Sequence, residues 1–323
     1  MTIEQHIPTK LYQPVSPALD ILNRTKLPPI SRIGNTPLIE LSAVTADLPD
    51  TVKVYGKAEF MNPSGSVKDR TALQIIVEAL RSGALREGMT LIDSTSGNTG
   101  IAYAMLGAAL GIPVEIAMTA SASEERKRML QSYGVKLSLT DPDRGSDGAQ
   151  EFVRNKLRFE PEGYFYANQY GNDSNWRAHY QGTGREIIEQ THGRVTHFVA
   201  GLGTTGTFVG ATRRLKKYKH GILCCSVQPD ASKHSIKGLR HMATAVNPEI
   251  YDPTTADHEL FCSSEEAFEM TKRLAREEGL LVGVSAGANV AAAVELARKI
   301  RHGIIVTVLC DSGNRYLSQD FWG

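Results

Sequence analysis

The chain has 323 residues, of which 41% are hydrophobic and 22% are charged, a composition that is ordinary for a soluble globular protein. Its 36 basic and 35 acidic residues leave a formal net charge of +1, which gives no electrostatic basis for a nucleic-acid or membrane-surface partner. No apolar run approaches the about 20 residues that a membrane helix needs.

The cysteines and the N-terminus indicate the compartment. Cys224, Cys225, Cys262 and Cys310 show no Cys-x-x-Cys spacing, so a zinc or redox motif is not indicated and no metal site is expected. Cys224 and Cys225 lie in an apolar run and are predicted to be buried thiols. The first residues lack the apolar core of a signal peptide. These features predict a protein of the reducing cytoplasm.

After a Pro-rich, polar arm that extends to about residue 34, short apolar β-type runs alternate with helical patterns. The predicted strands are 52–60, 90–93, 113–118, 135–140, 196–201, 221–229 and 303–311. The predicted helices are 67–80, 101–111, 121–134 and one after Thr207. This alternation predicts an α/β fold with parallel sheets that are covered by helices on both faces.

Two blocks of this pattern flank a polar middle near residues 142–195, and single cores rarely grow beyond ~250–300 residues. We therefore expect two α/β lobes. The N-terminal domain is placed at 45–168, and the C-terminal domain at 1–44 plus 169–323. Active sites in such sheets lie at the carboxyl ends of the strands, which directs attention to four loops that open helices.

The first loop, NPSGSVKDR (62–70), places Lys68 in the first turn of a helix. The helix dipole disfavours a cation there and should lower the pKa of the amine. A neutral amine is what a carbonyl cofactor needs to form a Schiff base. A surface lysine is the alternative interpretation, and this segment alone does not exclude it.

The second and third loops have the composition of anion sites. STSGNTG (94–100) combines hydroxyls, an amide and glycines at a strand-to-helix turn, which suits a carboxylate or a phosphate. GLGTTGT (201–207) suits a phosphate, but it also matches the dinucleotide pattern G-x-G-x-x-G. A dinucleotide site needs an acidic residue at the end of the next strand. Gln228 stands there, and Asp230 is a poor substitute, so a monophosphate is favoured.

The fourth loop, VGVSAGA (282–288), opens a further helix, and Ser285 is by default its N-cap. Together the four segments resemble the fold type II pyridoxal-phosphate enzymes, and more narrowly the cysteine synthases and their cystathionine β-synthase relatives. The resemblance extends from about Ile33 (IGNTPLIEL) to about Ser318 (RYLS). The order of NPSGSVKDR, TSGNTG and GLGTTGT carries it. It implies two lobes, each a mainly parallel twisted sheet, an amino-acid substrate and a homodimer.

The resemblance also implies roles for single residues. Lys68 would hold the aldehyde of pyridoxal 5'-phosphate and then act as general base. Ser285 would face the pyridine nitrogen, and Asn98 would bind the ring hydroxyl. The cofactor phosphate would be bound by Gly203, Thr204, Thr205, Gly206 and Thr207. The substrate carboxylate would be bound by Thr95, Ser96, Thr99 and Gln169.

Arg240, in GLRHM, suggests the substrate. O-acetylserine-using relatives carry Gly at this place, whereas the O-phosphoserine-using branch resembles this chain in carrying Arg. A guanidinium pairs bidentately with a phosphate dianion, and an acetyl group gains nothing from it. A surface arginine in a polar loop is the alternative. The sequence predicts L-cysteine synthesis from O-phospho-L-serine in preference to O-acetyl-L-serine.

The sulfur donor stays open between sulfide and a thiocarboxylated sulfur-carrier protein. The tail with which the O-phosphoserine branch helps to recognise such a carrier is expected to be absent, because the chain stops at Gly323, soon after RYLS. Three other functions remain: a cystathionine β-synthase-type β-replacement, an NAD-dependent oxidoreductase that uses the GLGTTG loop, and a cofactor-binding regulatory protein without turnover.

Overall fold

The structure, a computed structural model, describes residue 21 and residues 23–323. The N-terminal arm was expected to pack on the surface or across a dimer, and its first twenty residues lie outside the described part. None of the helices that the structure describes is both long and apolar enough to cross a bilayer.

The strands and helices alternate along the chain as the sequence predicted. The strands are β1 (Leu38–Glu40), β2 (Val52–Ala58), β3 (Thr90–Ser94), β4 (Val114–Thr119), β5 (Lys136–Thr140), β6 (Tyr164–Tyr166), β7 (His197–Gly201), β8 (Leu223–Pro229), β9 (His258–Cys262) and β10 (Gly303–Leu309). The helices are α1 (Lys68–Ser82), α2 (Asn98–Leu110), α3 (Glu124–Ser132), α4 (Gly145–Phe159), α5 (Ser174–Ala178), α6 (Gly184–Gln190), α7 (Gly206–Tyr218), α8 (Ser264–Glu277) and α9 (Val284–Arg298). A π-helical segment, His179–Thr183, joins α5 to α6.

The strands form two sheets. The larger has the order β1-β2-β10-β7-β8-β9, and the smaller has the order β5-β4-β3-β6. Every pairing is parallel except that of β1 with β2. The prediction of two mainly parallel sheets covered by helices is confirmed.

Helix α2 shows how the smaller sheet is covered. Its sequence has no polar face, and Thr99–Gly107 are all buried between the sheet and its neighbours, as an all-round apolar helix requires. The predicted burial of Cys224 and Cys225 is confirmed in β8, which lies between β7 and β9 in the larger sheet.

The position of strand β2 can be compared with the predicted domain boundaries. It lies within the range 45–168, yet it pairs in parallel with β10 of the larger sheet, Val52 opposite Gly303 through Ala58 opposite Leu309. A division by sheets would therefore assign residues 52–58 to the C-terminal domain. The boundaries at 45 and 168 themselves stay a prediction.

Three strands were not predicted. β1 and β6 are only three residues long, too short for a period of two to be visible. β9, HELFC, is an edge strand with mostly exposed, partly charged residues, so it lacks the apolar run that marked the others. Helix α3 begins at Glu124, three residues after the predicted start.

Candidate active site

A cavity of about 550 Å³ lies between the two sheets, where the carboxyl ends of β3, β7 and β10 lead into loops. All four predicted loops reach it. Among the predicted site residues, Gly206 alone does not line its wall. The predicted site residues that line it are Lys68, Thr95, Ser96, Asn98, Thr99, Gln169, Gly203, Thr204, Thr205, Thr207, Arg240 and Ser285.

Lys68 is the first residue of α1, and its side chain lies deep in the cavity wall, where part of it remains accessible from the cavity. Desolvation by burial lowers the pKa of its amine, and the nearby carboxyl group of Asp311 opposes this effect only in part. The preceding loop is fixed at the end of β10, since Val67 donates its backbone N–H to the carbonyl of Cys310 at 2.8 Å. The structure thus provides a positioned lysine with a lowered pKa.

The loop 201–207 is built to admit an anion. A Cβ on Gly203 would lie 2.2 Å from the carbonyl of Gly238, and one on Gly206 would lie 2.0 Å from Asn175 Oδ1, so only glycine fits at both positions. Thr205 has φ +67°, and its buried hydroxyl has no hydrogen-bond partner among the described residues. An unpartnered buried donor at the start of α7 fits a cofactor phosphate.

Behind this loop lies a polar network that sequence reasoning missed. Thr71, one turn after Lys68, donates to Asn175 Oδ1 at 2.9 Å and lies 3.3 Å from His179 Nε2. Asn175 donates to Thr204 Oγ1 at 3.1 Å, and His179 Nε2 lies 3.3 Å from Thr207 Oγ1. The network ties the lysine-bearing helix to the phosphate loop.

The burial of His179 predicts a pH dependence of stability. Desolvation by burial, with the nearby charge of Arg70, lowers the pKa of His179 to about 3, whereas an unfolded histidine titrates near ~6.5. As the pH falls, the unfolded state therefore takes up the proton first. The contribution of neutral His179 to the unfolding free energy is complete above pH ~6.5 and is lost as the pH falls below that value. Between pH 7 and 5.5 the unfolding free energy should fall by roughly 1 kcal/mol more in the native protein than in His179→Gln. Urea titrations at both pH values measure this, and equal falls in both proteins would contradict it.

The loop 94–100 and Gln169 meet on one side of the cavity. Thr99 Oγ1 donates to Gln169 Oε1 at 2.6 Å, and the backbone N–H of Gly97 donates to Thr95 Oγ1 at 3.2 Å. The carbonyl of Ser96 accepts from Arg126 Nη1 at 3.2 Å. Two of the groups predicted to bind the substrate carboxylate are therefore in direct contact, although they are 70 positions apart in sequence.

Asn98 contacts residues from the C-terminal end of the chain. Its Nδ2 donates to Asp311 Oδ2 at 2.7 Å, and its Oδ1 accepts from the guanidinium of Arg315. Tyr316 also donates to Asp311 Oδ2, at 2.6 Å, and desolvation by burial raises the pKa of Asp311. Sequence reasoning missed Asp311, whose signal was its place at the end of the last strand.

Ser285 lines the cavity beside the thiol of Cys310. It is the second residue of α9, whose N-cap is Gly283, so the default interpretation of Ser285 as an N-cap does not hold, and its predicted place at the pyridine nitrogen stays a prediction. Cys310 lines the same wall, and burial raises the pKa of its thiol to about 11, so the thiol stays protonated at neutral pH.

Arg240 is held at the cavity wall by two contacts. Its Nη1 donates to the carbonyl of Val246 at 2.8 Å, and its Cζ lies 4.6 Å from the centroid of the Tyr170 ring. No carboxylate among the described residues pairs with it. A guanidinium that is fixed in this way keeps donors for a ligand in the cavity.

The chain matches a known protein family along most of its length. The family described as pyridoxal-phosphate dependent enzyme matches residues 30–311. A cysteine synthase of Aquifex aeolicus is 48% identical over 291 residues, which cover 88% of this chain and 89% of that protein. Because the family match includes the loop 201–207, the dinucleotide-binding alternative is not supported.

Solved structures of cysteine synthases and of a related enzyme also superpose on the chain. A cysteine synthase from Entamoeba histolytica superposes with a TM-score of 0.87 at 34% identity, over 100% of this chain and 94% of that one. An O-acetylserine dependent cystathionine β-synthase from Helicobacter pylori superposes with a TM-score of 0.84 at 30% identity, over 91% of this chain and 97% of that one. This chain therefore belongs to the pyridoxal-phosphate dependent enzymes, within the cysteine synthase family.

Proposed function

We propose that this enzyme makes L-cysteine by β-replacement on O-phospho-L-serine. The bond between Cβ and the phosphate oxygen breaks, inorganic phosphate leaves, and a bond from Cβ to the incoming sulfur forms. β-Replacement of the cysteine synthase type follows from the family. The choice of the phosphorylated substrate rests on one observation, a guanidinium that is fixed at the cavity wall without a carboxylate partner.

Lys68 is assigned the proton transfer. The bound cofactor supplies the aldehyde that captures the substrate amine and the ring that withdraws electrons from Cα. With its pKa lowered by burial, the Lys68 amine can take the proton from Cα and hold it at Nζ. Ser285, a neutral group, is proposed to face the ring nitrogen, and Asn98 the ring hydroxyl.

The remaining groups orient the two ends of the substrate. Thr95, Ser96, Thr99 and Gln169 are proposed to bind its carboxylate, since Thr99 and Gln169 already meet at 2.6 Å. The loop of Gly203, Thr204, Thr205, Gly206 and Thr207 is proposed to hold the cofactor phosphate, which the unpartnered Thr205 hydroxyl supports. Arg240, which has neither of these roles, is proposed to bind the phosphate of the substrate.

Arg240→Ala tests the substrate assignment. Because hydrogen bonds to charged groups are worth about 1.5–3 kcal/mol, the ratio of kcat/KM for O-phosphoserine to that for O-acetylserine should fall about 10- to 100-fold. Steady-state kinetics of both proteins with both substrates measure this ratio. Arg240→Lys is the matched control, since it keeps the charge but loses the bidentate geometry, and it should recover only part of the loss. A native preference for O-acetylserine that persists in Arg240→Ala would refute the assignment.

A cystathionine β-synthase-type reaction is the second candidate, which the likeness to the Helicobacter pylori structure favours. The rates of the same enzyme with homocysteine and with sulfide distinguish the cystathionine β-synthase-type reaction from cysteine synthesis. Sulfide as donor, a thiocarboxylated carrier protein as an alternative donor, a homodimer and a cytoplasmic location remain proposals. Size-exclusion chromatography of the holoenzyme tests the dimer.

A further inference from the structure

The mouth of the cavity carries two cations on segments that are far apart in sequence. Arg126 projects from α3, which packs beside the smaller sheet, and Lys237 lies in the loop between β8 and β9 of the larger sheet. Both line the cavity. Among the residues the structure describes, no carboxylate lies within ion-pair distance of either one.

The cavity as a whole is strongly cationic. Apart from Lys68, which is assigned to the cofactor, its lining contains the cations Arg126, Lys237 and Arg240 but a single acidic residue, Asp311. The Asp311 carboxyl is buried and already accepts hydrogen bonds from Asn98 and Tyr316. In a chain whose net charge is only +1, this concentration is local, and a cleft lined by one sign of charge attracts ligands of the other sign.

Arg126 and Lys237 also act on each other. Desolvation by burial, followed by the charge of Arg126, lowers the pKa of Lys237. The two cations therefore repel each other across the mouth of the cavity, and an anion between them would replace that repulsion with two attractions. Arg126 is in turn bonded to the carbonyl of Ser96, in the loop 94–100.

We propose that Lys237 and Arg126 form a second anion site at the mouth of the cavity, which binds the phosphate group of the substrate together with Arg240. This inference rests on the proposed function and extends it. Arg240 neutralises one charge of a phosphate dianion and leaves one over. Lys237, three residues earlier in the same loop, supplies the second cation, and Arg126 meets the phosphate from the other side. Through Ser96, Arg126 connects the phosphate to the loop proposed to bind the carboxylate.

Lys237→Gln in the holoenzyme tests the site, with inorganic phosphate as the probe. The competitive inhibition constant of phosphate should rise about fivefold, as expected for a partly exposed charge pair. The ratio of kcat/KM for O-phosphoserine to that for O-acetylserine should fall by a similar factor. Both effects should shrink at high salt. Arg126→Gln should also raise the inhibition constant of phosphate. Arg126→Lys keeps the charge, so its inhibition constant should stay close to that of the native enzyme.

Lys233→Gln is the matched control, because it removes an equal charge from the same exposed loop but does not line the cavity. It should leave the phosphate inhibition constant unchanged. An unchanged constant in Lys237→Gln, or an equal rise in Lys233→Gln, overturns the second anion site. Failure of the proposed function is seen separately, as a preference of the unmodified enzyme for O-acetylserine, and the phosphate titration decides the anion site in either case.

Discussion

Replacing Lys68 with alanine is expected to lower kcat/KM by about a thousandfold or more, since general acid–base catalysis contributes ~10²–10⁴-fold and the cofactor anchor is lost as well. The yellow colour that a lysine-bound pyridoxal cofactor gives the protein should disappear in the same variant. Absorbance spectra and steady-state rates of the purified protein measure the two effects.

A second experiment identifies the anchoring amine directly. Borohydride reduction of the native holoenzyme, followed by peptide mass analysis, should place the cofactor on the peptide that contains Lys68. Lys219→Ala, an exposed lysine outside the cavity, is the control and should keep both colour and rate. Retention of the colour and of most of the activity in Lys68→Ala would show that another group holds the cofactor.

The position of Lys68 could be predicted because its environment is mostly local. A loop after a strand opens a helix, and the sequence itself places the lysine in the first turn of that helix, where the structure has it as the first residue. The glycines at 203 and 206 were recognisable for the same reason, since a short segment carries the whole pattern. Parallel sheets then bring such loops to one edge, which is why the four segments meet in one cavity.

The parts that sequence reasoning missed depend on distant pairs. Asn98 and Asp311 are 213 positions apart, and Thr71 and His179 are 108 apart. The place of Asp311 at the end of the last strand marks a candidate site residue, but the local pattern around Asp311 or His179 does not indicate which residue it contacts, because the packing of the two sheets creates the contact. The domain boundaries are hard to predict for the same reason, since β2 precedes the smaller sheet in sequence but pairs within the larger one.

A buried network of charges holds the start of α1 near Lys68. Arg70 lies 2.7 Å from Glu59 and 2.7 Å from Glu186, and Lys57 lies 2.6 Å from Glu186. All four side chains are at most 5% exposed, and they comprise two positive and two negative groups. Charges that are buried this deeply are tolerated only while each is paired.

Glu186→Ala is therefore expected to lower the unfolding free energy by roughly 3–5 kcal/mol, because it leaves Lys57 and Arg70 buried with a missing partner. Urea titration measures this loss. Glu189→Ala is the matched control, because Glu189 lies on the same helix, α6, as Glu186. Its pair with Arg185 is exposed, so its cost should stay below about 1 kcal/mol. Equal stability losses in the two variants would show that the network contributes no more than a surface pair.

The titration of Glu186 adds an independent check on the same network. Burial alone would raise the pKa of this carboxyl, but the hydrogen bonds and charges of Arg70 and Lys57 outweigh it and lower the pKa to about 2. The unfolded group titrates near ~4.3, so its contribution to stability is complete above that pH and is lost as the pH falls towards 2. The stability difference between the native protein and Glu186→Ala should accordingly narrow between pH 5 and pH 3. A difference that stays constant over this range would mean that the Glu186 carboxylate does not stabilise the fold through its charge, and that the loss in Glu186→Ala comes from packing.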